Sequence, residues 1–221
     1  MRIKADLHIH TRNSIDSLNS IEKIIQFGKN RKINLLGITD HNILTSFDCE
    51  ENIRFIFGEE IKTKDGEIIG YFLKESIKKG MGLMDTIKAI REQNGIVCVP
   101  HPLDRLRRSA IGYDNLMKII DYIDVIEVFN GRTTFIEDNI SAMKIAKEFG
   151  KGLSAGSDAH IPFEIGVCYV EIEDFKDKDE FLNVLKKGDV KMGLSPFIVH
   201  IPSTFTKFYN KFRRTKEKNC I

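Results

Sequence analysis

Nothing in the chain approaches the ~18 consecutive apolar residues that a membrane-spanning helix needs. None of the four cysteines, Cys49, Cys98, Cys168 and Cys220, falls in a C-x-x-C pair. Cys98 and Cys168 lie inside apolar runs, where cysteine serves as a small buried hydrophobe, so neither a disulfide framework nor a zinc ribbon is indicated. The first residues enter a strand pattern without the apolar core of a secretory signal, which leads us to expect a cytoplasmic protein. Charge is close to balanced at +2, so no strong overall field draws the chain to nucleic acid or membrane. No phosphate-cradling glycine loop is seen, and the chemistry proposed below requires no serine or cysteine nucleophile.

What the chain does have is an alternation of apolar strand-like runs with helical patterns. Strands are expected at residues 3–9, 35–39, 53–57, 68–73, 96–99, 125–129, 153–156 and 167–172. Helices are expected at 20–31, with Ser20 as N-cap, and at 83–93, closed by Asn94-Gly95. Further helices are expected at 116–122, 135–149 and 179–187. Lys64-Asp65-Gly66-Glu67 reads as a hairpin turn. Buried strands joined by helices suggest a parallel barrel or a doubly wound sheet, and 221 residues fit one such domain. The expected division is one catalytic domain over residues 1–195 and a basic tail over 196–221 that forms no domain of its own.

The histidines carry the chemistry. Five of the six lie at or just after the end of an expected strand, in Asp6-Leu7-His8-Ile9-His10-Thr11, Thr39-Asp40-His41-Asn42, Pro100-His101-Pro102 and Gly156-Ser157-Asp158-Ala159-His160. The sixth, His200, is read as a surface or structural residue. His8 and His10 are two apart, so on a strand they point to one face, and Asp158 and His160 are spaced the same way. For any one segment, an ordinary core histidine or a helix cap is the simpler explanation. Four such segments at strand ends, which a barrel gathers around one mouth, point to a metal centre. Imidazole with carboxylate suits zinc, manganese or iron.

These four motifs, in this order, resemble the polymerase and histidinol phosphatase (PHP) domain superfamily of phosphoesterases over residues 3–172. The resemblance implies a distorted seven-stranded (β/α) barrel with two or three divalent metals at the C-terminal ends of its strands. It implies His8, His10 and Asp158 as ligands of a first metal, and Glu60 as the carboxylate bridging the first two. The family's pattern of Gly, any residue, then Glu implies Glu60 rather than its neighbour Glu59 for that role. It further implies His101 on the second metal and Asp16, His41 and His160 on the third. One departure stands out. Where many relatives have a histidine before the next strand, this chain has Glu67, open to two roles: an oxygen ligand of the second metal or a solvated turn carboxylate. Asp40 is expected to orient a ligand from behind. Glu127 and Asn130 end a strand at the mouth, and Asn130 is open to contact with substrate, metal-bound water or turn backbone. Of Arg105, Arg107 and Arg108, at least one is expected to meet phosphate through its guanidinium fork, Arg105 first among them.

The expected activity is hydrolysis of a small phosphomonoester. The nucleophile is a metal-bound water held by His8, His10, Glu60 and Asp158, as hydroxide. Alternatives are a phosphodiesterase or nuclease acting on nucleic acid ends, for which the basic tail is the support, a related amidohydrolase or deacetylase, and a non-catalytic binding module.

Overall fold

The computed structural model describes residues 1–49 and 53–195, so His200 and the basic segment 196–221 lie outside the described residues. The chain begins with β1 (Arg2–Ile9), whose Ile3, Ala5, Leu7 and Ile9 are all buried, as are Asp6 and His8. Helix α1 (Ile21–Asn30) follows, and the Ser20 hydroxyl accepts from the Lys23 amide as its N-cap. Next come β2 (Leu35–His41), β3 (Arg54–Lys62), β4 (Glu67–Tyr71) and α2 (Leu83–Glu92). Asn94, with φ +59°, and Gly95, whose amide bonds to the Ile90 carbonyl, turn the chain out of α2, as the sequence suggested. The rest runs β5 (Ile96–Val99), α3 (Tyr113–Ile119), β6 (Val125–Asn130), α4 (Ile136–Glu148), β7 (Gly152–Gly156), β8 (Tyr169–Glu173), α5 (Lys178–Leu185) and β9 (Asp189–Lys191).

These strands form one sheet in the order β7-β6-β5-β4-β3-β2-β1-β8-β9. The expected seven-stranded (β/α) barrel is therefore corrected in two respects. There are nine strands among the described residues, the short β9 having given no pattern in the sequence. The sheet is also mixed: β1–β2–β3 and β5–β6–β7 pair in parallel, while β4 opposes both its neighbours and β8 opposes both of its own. Chain length decides the direction of β4. Only residues 63–66 separate it from β3, and a parallel crossover needs roughly a dozen. Antiparallel pairing places the start of β4, not its end, beside the end of β3.

The sheet curls until its ends nearly meet. Past β7, Ala159 forms a parallel bridge with Ile9, and the His10 amide donates to the Ala159 carbonyl at 3.1 Å. Gly156 is required at this seam, because a Cβ there would fall 2.2 Å from the Cβ of His8. Apolar side chains fill the body in three groups: around Ile90, Leu116 and Ile126; around Leu7, Tyr71, Phe129 and Phe181; and beneath α1 around Ile24, Leu36 and Ile38. No helix among the described residues is long and apolar enough to cross a membrane.

A buried carboxylate ties the seam. Asp6 accepts from the Ser157 amide (2.9 Å), the Ser157 hydroxyl (2.6 Å) and the Gly166 amide (2.7 Å). Burial pushes its carboxyl up to about 6 against the pull of those donors, so it is ionised at neutral pH. Asp6→Ala strands three buried donors and is expected to cost about 2–4 kcal/mol of unfolding free energy. Urea denaturation at neutral pH measures this, and a loss below about 0.5 kcal/mol would mean that the carboxylate is not what closes the sheet.

Candidate metal centre

Strand ends deliver the site. His8 lies near the end of β1 and His10 just past it; Asp40 and His41 end β2; Asn130 ends β6. His101 follows β5, and Asp158 and His160 follow β7. β3 continues beyond residue 57 to Lys62, so Glu59 and Glu60 both lie on it and face opposite ways. Glu60 enters the cluster, while Glu59 accepts from the Ile77 amide at 2.9 Å. Glu67 reaches the same mouth because β4 starts there. Asp158 and His160 do not repeat the strand alternation of His8 and His10: Asp158 has φ +54°, and it is this left-handed turn that brings the pair in.

The distances suit metal coordination. His8 Nε2 lies 3.1 Å from His10 Nε2, and each lies 3.5 Å from Glu60 Oε2. Asp158 Oδ1 stands 3.2 Å from His10 Nε2 and 3.7 Å from His8 Nε2. Four ligands at zinc-like bond lengths around a tetrahedral ion stand about 3.3 Å apart, a spacing close to that of these atoms. A second group joins Glu60 Oε1 to His101 Nε2 at 2.9 Å, with Glu67 Oε2 3.8 Å from that nitrogen. In a third, Asp16 Oδ1 lies 3.7 Å from His41 Nε2 and 3.6 Å from His160 Nε2, and ligand atoms of His10, His41 and His160 fall within 4.8 Å of one another.

The hydrogen-bond network sets the tautomers. His8 Nδ1 faces Glu127 Oε1 at 2.9 Å, and His160 Nδ1 faces the Asp158 carbonyl at 2.8 Å. Both partners can only accept, so each Nδ1 carries the proton and each Nε2 turns a lone pair inward. The Ser14 hydroxyl gives its single proton to Asp40 at 2.6 Å and so accepts from His10 Nδ1 at 3.2 Å. Asp158 Oδ1, fully buried, accepts no hydrogen bond, and the equally buried Glu60 Oε2 has only His41 Nδ1, at 2.9 Å, as a possible donor. Acceptors facing acceptors without a donor are what a cation resolves. Burial works against charge on His8, yet Glu127, Asp158 and Glu60 hold its imidazole well above the usual range. Burial likewise opposes charge on His41, which Glu60, Asp16 and Glu67 raise to about 9. Protons and metal ions thus compete for the same lone pairs.

The chain is similar to several known proteins. A family model described as PHP-associated matches residues 137–190. An uncharacterised protein of Methanocaldococcus jannaschii is 36% identical over 83% of this chain and 79% of its own length. A protein of Caldicellulosiruptor saccharolyticus named "Probable phosphatase" is 25% identical over 82% of this chain and 92% of its own. A two-domain protein of Bacteroides vulgatus containing a predicted PHP-like metal-dependent phosphoesterase superposes with a TM-score of 0.63 at 14% identity, over 93% of this chain and 70% of that one. The chain belongs to the PHP domain superfamily. A second solved structure of this fold, the lesion-specific endonuclease of Pyrococcus furiosus, also superposes with a TM-score of 0.63, at 17% identity over 89% of this chain and 60% of that one.

Around this PHP cluster, some expected residues serve and others turn away. Asp40 accepts from the Thr11 amide (2.7 Å) and from the hydroxyls of Thr11, Ser14 and Thr45 (2.6 Å each), reaching His10 through Ser14. Asn130 is fully buried and donates to Glu127 at 2.9 Å and to Asp158 at 3.3 Å, so it orients those carboxylates and has no face left for substrate. A register shift in β6 between Glu127 and Phe129 turns both Glu127 and Asn130 inward, which regular alternation would not do. Arg105 is turned away: its guanidinium grips Asp138 and lies 4.7 Å from the Phe135 ring. Arg107, not Arg105, points to the cluster, donating to Asp158 Oδ2 at 2.7 Å. With Arg108, Arg132, Glu67, His41 and Asp16 it lines a cavity of about 480 Å³ over the cluster. Arg132, which the sequence did not single out, is held by Glu164 at 2.7 Å.

Glu127 also accepts from the His101 amide at 2.7 Å, so one carboxylate aligns two histidine segments. Glu127→Gln would turn an amide donor toward one of these donors. It is expected to weaken metal affinity about 10–100-fold with the fold retained, as read by titrating Mn²⁺ or Zn²⁺ into stripped protein. Unchanged affinity would remove Glu127 from the support of the centre.

Proposed function

We propose that this PHP protein is a metal-dependent phosphoesterase that hydrolyses a small phosphomonoester. The observation that carries the reading is the convergence of the imidazoles of His8, His10, His41, His101 and His160 on the buried carboxylates of Glu60 and Asp158 beneath a cleft lined by arginines. His8, His10, Asp158 and Glu60 would hold one divalent metal. Glu60, His101 and Glu67 would hold a second, and Asp16, His41 and His160 a third. Bound there, such ions lower the pKa of water toward neutrality and withdraw charge from phosphoryl oxygens. Glu127, Ser14 and the Asp158 carbonyl accept from Nδ1 of His8, His10 and His160 and so aim each Nε2 inward. Arg107 offers the cleft a guanidinium already fixed by Asp158, suited to a phosphoryl oxygen.

A second reading, cleavage at nucleic acid ends, draws support from the fold shared with the Pyrococcus endonuclease and from Lys62, Arg107, Arg108 and Arg132 around the cleft. A panel of phosphorylated metabolites and short oligonucleotides with added Mn²⁺ separates the two. Turnover of monoesters alone supports the first, and turnover of oligonucleotides alone replaces it with the second.

Stripping the metal should abolish hydrolysis, and Mn²⁺ or Zn²⁺ should restore it. His10→Ala and Asp158→Ala should each lower kcat by more than about 100-fold, exceeding the loss typical of a supporting residue, while circular dichroism stays native. Full activity in protein verified as metal-free would sink the proposal. Glu67→Ala should lower metal stoichiometry, and Glu67→His should keep activity while shifting preference toward zinc, because imidazole is the softer ligand. Wild-type stoichiometry and activity in Glu67→Ala would leave Glu67 a turn residue. Arg107→Ala should weaken binding of inorganic phosphate about tenfold or more with metal content intact.

A further inference from the structure

Arg107 sits on a loop whose attachments can be named, and its own guanidinium lies 2.7 Å from Asp158 and 3.6 Å from Asp104. Residues 101–112 join β5 to α3 through a chain of tight turns: Asp104 bonds back to His101, Arg107 to Asp104 and Ala110 to Arg107. The loop is closed at its base by the Gly112 amide on the Pro102 carbonyl at 2.9 Å. Its apex has no apolar anchor, since Leu106 is 61% exposed. Two lateral attachments lie on either side of Leu106. Arg107 reaches inward to Asp158. Arg105 reaches the other way, to Asp138 in the first turn of α4. Asp138 takes the Arg105 backbone amide at 3.1 Å as well as its guanidinium, whose Nε lies 2.9 and 3.2 Å from the two oxygens. The carboxylate itself is buried, at 7% exposure, on a 13-residue helix, so the anchor is rigid. The loop is thus pinned between a carboxylate of α4 and a carboxylate of the metal centre.

We propose that Arg105 and Asp138 form a positioning pair that sets Arg107 over the metal cluster, so that anion affinity in the cleft depends on two residues that do not touch the anion. This inference rests on the reading of Arg107 as the phosphate contact. Because Asp138 is buried, a merely structural role predicts a lower Tm in Arg105→Ala with no change in anion binding. A positioning role predicts a specific loss. An arginine set loosely must be ordered at each binding event, and that cost appears in affinity.

The test uses the full chain loaded with Mn²⁺ and titrated calorimetrically with inorganic phosphate, with metal stoichiometry measured on the same samples. Arg105→Ala should weaken phosphate binding about fivefold. Asp138→Ala, which also removes the acceptor of the Arg105 backbone amide, should weaken it more, about tenfold. Arg105→Lys, keeping the charge without the fork, should fall between Arg105→Ala and wild type. Metal stoichiometry should not change in any of the three. Steady-state turnover of an aryl phosphate should show raised KM with kcat retained, the pattern of lost uniform binding. If Asp138→Ala folds poorly, the two substitutions at the exposed Arg105 decide. Phosphate affinity within twofold of wild type in Arg105→Ala, while Arg107→Ala is weakened, overturns the positioning pair and leaves the phosphate reading standing. Undiminished affinity in Arg107→Ala overturns both.

Discussion

Glu60 is the point on which the site turns. Fully buried, its carboxylate lies 3.5 Å from His8 and from His10 and 2.9 Å from His41 and from His101. Those imidazoles come from β1, the end of β2 and the loop after β5, so one side chain is in contact with three separate segments of the sheet. Burial alone would push its carboxyl up, yet His8, His41 and His101 hold it well below the carboxylate range. A charge with this many close partners in a dry interior tolerates little displacement. The curl of the sheet, the hairpin after β3 and the left-handed turn at Asp158 all serve to bring donors to it.

Much of this was legible in the sequence because candidate metal ligands are chemically conspicuous. A histidine at the end of an apolar strand stands out, and four such segments in order define both the mouth and the family. Periodicity also located the helices to within a few residues, since α1, α2 and α4 each have an apolar stripe to bury. What was not legible depends on backbone path. Arg105 and Arg107 are alike in composition, and only the turns of the loop send one to α4 and the other to Asp158. Asn130 was open to substrate until the irregularity in β6 turned it against Glu127. Glu127 carried a readable signal, a lone carboxylate within Val125-Ile126-Glu127-Val128-Phe129, because an acid in a strand buried on both faces must be matched by donors. β9 is too short for any periodicity to register.

The cleft above the metal centre combines opposite fields. Below lie the carboxylates Asp16, Glu60, Glu67 and Asp158; around the rim stand Lys62, Arg107, Arg108 and Arg132. Cations at the base and guanidinium groups at the wall would together favour a ligand whose negative charge is compact and carried at one end. A near-neutral chain can hold such a site because the fields are local, and short separations in a buried space escape much of the screening that weakens surface charges.

The seam between β1 and the segment after β7 has a consequence for how the chain is made. Asp6 and Ser157, which it joins, are 151 positions apart. β1 leaves the ribosome ahead of the other strands, with its buried Asp6 and His8 unsatisfied, and must wait until residues 157–166 have followed before the seam can close. Contacts of such long range form late and slowly. The metal pocket is therefore among the last parts of the molecule to exist during synthesis, and a chain truncated before residue 157 would carry most of the ligands without the site.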